Sequence, residues 1–116
     1  ADTVLGDTQF ASGWIAESAA EIAAARALVL ETAAAVQEHG FKSARTQVSM
    51  IKYHVAGVLQ RVLDRALQAH GALGMTDDTV IAWYYRHERA ARIYDGPDEV
   101  HQLSVARQLL KPFRNA

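Results

Sequence analysis

The chain has 116 residues, half of them hydrophobic and 22% charged, with 12 Lys and Arg against 13 Asp and Glu and a formal net charge of −1. That length suits one domain with a real core, burying about two-thirds of the surface an unfolded chain exposes, and the balanced charge gives no field to draw it to nucleic acid or an anionic membrane. The lack of cysteine excludes disulfides, thiolate chemistry and Cys-based metal sites and fits a reducing compartment, so cytoplasm is the expected location.

No uninterrupted apolar run approaches the roughly 20 residues of a membrane span. The alanine-rich stretch 19–36 is broken by Glu21, Arg26 and Glu31. The opening ADTVLGD lacks the basic start and apolar core of a signal peptide, and Ala1 is compatible with methionine removal or with a cut inside a longer chain.

In chain order, the first predicted helix runs from about Thr8 to His39. Phe10, Trp14, Glu17/Ser18, Ile22, Ala25, Val29, Ala33 and Val36 step mostly by three or four, and Gly40 is a left-handed stop. The second runs from about Ser43 to His70, with Val48, Ile51, Val55, Leu59, Val62 and Ala66 in one stripe that Val58, Leu63 and Leu67 widen. A helix apolar on so much of its surface is central or lies at an interface. Gly71 and Gly74 end it, and Thr76 or Asp77 caps a third helix from about Asp78 to Arg92. The last runs from Pro97 to about Leu110, closed by Pro112. The expected fold is all-α, an antiparallel up-and-down bundle of about four helices.

Few stretches carry chemistry. Five histidines invite a metal, but bundle metal sites need repeated Glu-x-x-His pairs and only Asp98-x-x-His101 comes near, so no metal is expected. Arg86, Arg89 and Arg92 recur every three residues, interrupted by Glu88, which reads as a solvated face or as salt-bridge partners more readily than as a phosphate stripe. Trp83, Tyr84 and Tyr85 read as core and interface. In QAHGALG, residues 68–74, the glycines allow a flat ligand to lie against the turn with Gln68 bonding to it, although a helix stop with tight packing is the favoured reading of an isolated glycine pair. In IYDGPDEVH, residues 93–101, Gly96 or Asp95 serves as N-cap, Pro97 suits the first helical position, and Asp98 and Glu99 face the positive end of the helix dipole. A helix start accounts for most of that stretch, and whether one of its carboxylates takes a proton stays open.

QAHGALGM followed some twenty residues later by RIYDGPDEVHQLSVARQLL resembles the C-terminal helical domain of the flavin-dependent acyl-CoA dehydrogenases. D-G-P-D-E-V-H, with MIK at 50–52 and RALQAHGALG at 65–74, is most similar to the subgroup of human family members ten and eleven. The resemblance covers nearly the whole chain, residues 1–116 then being a C-terminal bundle domain without the N-terminal helical domain and the middle β-domain. It implies an oxidoreductase that turns acyl-CoA thioesters into 2-enoyl-CoA: a carboxylate removes the α-proton, the β-hydrogen leaves as hydride to FAD, and electrons pass to an electron-transfer flavoprotein or another acceptor. By resemblance Asp95 is the base and Gly96 lies beside the thioester. Pro97, Asp98 and Glu99 border FAD, and Gln68, Ala69, His70, Gly71 and Ala72 contact its adenosine part from a neighbouring subunit of a homodimer or tetramer.

Desolvation by flavin and substrate would make Asp95 a better base. Asp95 is one methylene shorter than the family's glutamate, Pro97 replaces a threonine, Ala72 replaces a glycine, and Arg86-His87 replaces Arg-Asp. The resemblance implies a cytoplasmic protein in a bacterium or a mitochondrial-matrix protein in a eukaryote, and an isolated domain that does not catalyse. The alternative is a helical interaction or scaffold module that has lost the cofactor.

Overall fold

The computed structural model describes residues 4–114. A 3-10 turn at Leu5–Asp7 leads into α1 (Gln9–His39), followed by α2 (Arg45–His70), a 3-10 turn at Gly71–Met75, α3 (Ile81–Glu88), a 3-10 turn at Arg89–Arg92 and α4 (Asp98–Arg114). The fold is all-α, with no strand among the described residues. None of its helices is long and apolar enough to cross a membrane.

The ends of α1 follow from local chemistry. Thr8 is its N-cap, accepting from the Ala11 N–H at 3.4 Å while its hydroxyl donates to the Leu5 carbonyl at 2.8 Å. Gly40 ends it with φ 84°, its N–H donating to the Val36 carbonyl at 2.9 Å. The chain then reverses within residues 40–44 and α2 runs back along α1. Ion pairs and hydrogen bonds set the antiparallel register: Glu21 receives Arg61 at 2.8 Å and Arg65 at 2.6 Å, and Arg65 also donates to the Ser18 hydroxyl at 3.3 Å. Later residues of α2 thus meet earlier residues of α1. α4 meets α2 at His101, which lies by Ser49, while the turn before α4 is held further along α2, where Arg92 bonds Gln60.

The expected bounds of the third and last helices are corrected. The third helix begins at Ile81, not Asp78, and its last residues, Arg89–Arg92, tighten to a 3-10 turn. Thr76 caps no helix; its hydroxyl donates to Leu73 at 2.7 Å and accepts the Asp78 N–H at 3.2 Å, closing a turn with which the Asp- and Thr-rich segment competes against helix. Pro112 does not close α4, which continues through it to Arg114. So close to the helix end, proline removes only one backbone bond, and the exposed final turn tolerates the loss.

α2 is the hub, packing on α1, α3, α4 and the turns beside α3, whereas α1 packs on α2 and its own leading turn. The resulting core is thin. Its buried apolar residues are Ala11, Ala25, Ala44, Ala56, Val58 and Val105. Thr32 joins them because its hydroxyl is satisfied by the Leu28 carbonyl at 2.8 Å. Large apolar side chains of the α1 stripe stay in the open, Phe10 at 78% and Ile22 at 49% exposure. The molecule is long, 66 × 27 × 25 Å, with a radius of gyration of 18.1 Å, against about 13 Å for a compact 100-residue domain.

Candidate functional site

The segment between Arg92 and α4 turns sharply. Asp95 has φ 51°, the only positive value among the described non-glycine residues, and Gly96 follows with φ 98°. Aspartate tolerates this region better than most residues and glycine enters it freely, so the DG pair permits the reversal. Space also favours glycine at 96: a Cβ there would lie 2.7 Å from Nε2 of His101, and the imidazole would have to move. That nitrogen sits 3.1 Å from the Asp95 carbonyl. A carbonyl only accepts, so Nε2 carries the hydrogen. The Pro97 carbonyl accepts the N–H groups of Val100 at 3.0 Å and His101 at 3.3 Å, and α4 starts at Asp98, one residue later than expected. The first-turn N–H groups of Asp98 and Glu99 then have no intrahelical acceptor.

A cation on α2 holds the loop from the other side. Lys52 Nζ donates to the carbonyls of Ala91, of Tyr94 at 2.6 Å and of Gly96 at 3.0 Å, and lies 5.1 Å from the centre of the Tyr94 ring. Sequence reasoning gave neither Lys52 nor His101 a part in the site. The available signal was a lone lysine between Ile51 and Val55 on the inward side of a strongly apolar helix.

The acids of this stretch divide by environment. Asp95 is exposed, as are Pro97 and Glu99. Asp98 is turned inward at 6% exposure, its Oδ2 receiving Arg92 Nε at 2.6 Å, while Arg92 Nη1 donates to Gln60 at 2.8 Å. Its Oδ1 has no hydrogen-bond partner among the described residues. Asp98 and Arg92 line a polar cavity of about 450 Å³ with Tyr53, Gln60 and Tyr85. Among the described residues no three His, Cys, Asp or Glu side chains gather as metal ligands.

The glycine turn is elsewhere. Gly71 stops α2 with φ 59° and ψ −143°, its N–H reaching the Gln68 carbonyl. A Cβ on Gly71 would meet nothing, but one on Gly74 would lie 2.8 Å from the Leu67 carbonyl oxygen. Gly71 is thus needed for conformation and Gly74 for close approach. Gln68, His70, Gly71 and Ala72 are exposed and Ala69 half-buried. His70 Nδ1 lies 2.7 Å from the Ala66 carbonyl. Gln68 is sixteen residues beyond Lys52 on the same helix, about 24 Å at 1.5 Å per residue, so the two candidate regions occupy opposite parts of α2.

Two long antiparallel helices, a glycine-stopped hub and an acid-bearing loop before the last helix make this an all-α helical domain. The family model "Acyl-CoA dehydrogenase, C-terminal domain" matches residues 1–110, and the chain belongs to the acyl-CoA dehydrogenase family. It is 50% identical over 93 residues to "Probable acyl-CoA dehydrogenase FadE2" of Mycobacterium tuberculosis, covering 80% of this chain and 23% of that protein. It is 46% identical over 97 residues to mouse "Acyl-CoA dehydrogenase family member 10", covering 84% of this chain and 9% of that one. A solved "putative acyl-CoA dehydrogenase" from Mycobacterium abscessus superposes with a TM-score of 0.90 at 34% identity, over 97% of this chain and 28% of that one. The chain therefore spans about a quarter or less of these proteins.

Proposed function

We propose that this domain supplies the catalytic base and one edge of the FAD site of an acyl-CoA dehydrogenase, the base being Asp95. The observation that carries the reading is the setting of Asp95: an exposed carboxylate on a left-handed residue whose neighbouring carbonyls are tied to Lys52 and His101. Its rivals are less suited. Asp98 is buried in an ion pair with Arg92, and Glu99 sits in the first helical turn.

In this reading Asp95 takes the α-proton of an acyl-CoA thioester, and Gly96, without a side chain, lets the thioester approach the backbone. The start of α4 fits a flavin edge, because Pro97 and Glu99 are exposed and the first-turn N–H groups of Asp98 and Glu99 have no intrahelical acceptors. FAD, when bound, would supply the hydride acceptor on the face of the substrate opposite the base, and its electrons would pass to an electron-transfer flavoprotein or another acceptor. Gln68, Ala69, His70, Gly71 and Ala72 would touch the adenosine part of a cofactor held mainly by a neighbouring subunit. Their distance of about 24 Å along α2 from the Asp95 loop supports such a division between subunits. The apolar groove between α1 and α2, lined by Ile22, Val29, Leu30, Val55 and Leu59, supports burial against more protein.

The test is Asp95→Asn in the complete polypeptide carrying these residues. Asparagine keeps the shape and tolerates left-handed backbone, but it does not take the proton. Flavin content and melting temperature should hold while stopped-flow reduction by an active acyl-CoA falls by about two to four orders of magnitude. Reduction at the wild-type rate would remove Asp95 as the base and leave Asp98 or Glu99 as the nearby candidates.

A further inference from the structure

The orientation of a carboxylate on a loop is set by the two peptide planes on either side of its Cα. At Asp95 both are held. The Tyr94 carbonyl belongs to the plane before it and receives Lys52 at 2.6 Å; the Asp95 carbonyl belongs to the plane after it and receives His101 at 3.1 Å. The Gly96 carbonyl, one plane further, is again on Lys52 at 3.0 Å, and Ala91 anchors the start of the turn on the same ammonium. An ammonium has three protons and accepts nothing, so Lys52 places its full donor set on this one segment. Bonds to a charged donor are about twice as strong as neutral ones. Within the described residues Lys52 forms no ion pair with Asp95 itself; its grip is on the backbone.

We propose that Lys52 is a positioning residue for proton abstraction, holding Asp95 in its left-handed conformation through the carbonyls of Ala91, Tyr94 and Gly96. The inference rests on Asp95 being the base. Lysine suits the task because three carbonyls converge on one point; the planar fork of arginine spreads its donors and does not reproduce that convergence. His101 completes the clamp from α4, with Ser49 of α2 3.4 Å from its Nδ1, so α2 and α4 both hold the loop.

The experiment uses the complete polypeptide, with Lys52→Met and Lys52→Arg each made alone and combined with Asp95→Asn. Hydrogen exchange of the amides at 93–96 should rise about tenfold or more in both single variants while α1 and the second half of α2 keep their protection. Flavin reduction should fall about ten- to a hundredfold, the cost of misplacing a reacting group by about 1 Å, with flavin content and acyl-CoA affinity unchanged. In the Asp95→Asn background Lys52→Met should have no further effect on the rate. A drop of the same size in that background would show that Lys52 acts other than through Asp95 and would overturn the proposal, as would wild-type rates in Lys52→Met. Should Lys52→Met fail to fold, Lys52→Arg carries the same readouts. If Asp95→Asn alone leaves reduction intact, the base assignment fails by itself; unchanged exchange at 93–96 in the Lys52 variants then separately removes the clamp.

Discussion

Glycines that look alike in the sequence do different work. Gly71 needs only its backbone angles, a combination of positive φ and extended ψ that side chains avoid, so Gly71→Ala is expected to cost about 1–3 kcal/mol of stability. Gly96→Ala meets the same backbone objection and drives a Cβ into His101, which must swing away and release the Asp95 carbonyl. Thermal melts should therefore rank wild type above Gly71→Ala and Gly71→Ala above Gly96→Ala, and Gly96→Ala should also slow flavin reduction. Arg92 illustrates the converse. The Arg86, Arg89, Arg92 spacing reads as a solvated face or as salt-bridge partners more readily than as a phosphate stripe, and Arg92 pairs with Asp98.

At the level of elements, the pairing of α1 with α2 depends on a charged junction within an otherwise apolar seam. Hydrogen bonds from Arg65 first and Arg61 second hold the Glu21 carboxyl below its ordinary value. A carboxyl that binds its proton less tightly when folded leaves the unfolded chain holding more protons in acid, so stability rises with pH across that range. The contribution is complete above about pH 4.3, the ordinary value for glutamate, and disappears as pH falls through the lowered value. Circular-dichroism melts of wild type and Glu21→Gln should differ at pH 7 and converge in strong acid. A gap that persists undiminished at pH 2 would mean that the ionised form of Glu21 contributes nothing.

For the whole molecule, an 18.1 Å radius of gyration and a core made mostly of alanines and valines leave much apolar surface unpartnered. Phe10, Ile15, Ile22 and Leu30 along α1 are more exposed than an isolated helix pair can afford, and surfaces of this kind mark contacts with further protein. Light scattering of the 116-residue chain at micromolar concentration should give a mass above the monomer; a clean monomer would contradict this account. The same chain should bind FAD weakly or not at all, because the turn at 68–72 lies about 24 Å along α2 from Lys52, which holds the Asp95 loop, so one chain does not bring its two candidate cofactor-contacting regions together. Isothermal titration with FAD checks this, and a stoichiometric, tightly held flavin would refute it.

Helix number, type and most ends were legible in the sequence because they depend on local signals. The apolar periods of α1 and α2, Thr8 as a cap and Gly40 and Gly71 as stops act within a few residues of chain. The third helix was read too long because turn-forming Asp77, Asp78 and Thr79 resemble a capping region, and Pro112 was given more power to stop a helix than it has near an exposed end. The DGPDE stretch announced a helix start with spare acids, yet the sequence offered no means of telling them apart. Only the tertiary structure turns Asp98 inward onto Arg92, leaves Asp95 in the open and brings Lys52 to the loop across about forty residues of chain. A side chain's partners across that separation depend on how whole helices dock, and an apolar stripe marks the face that docks without saying which residues of another helix it meets.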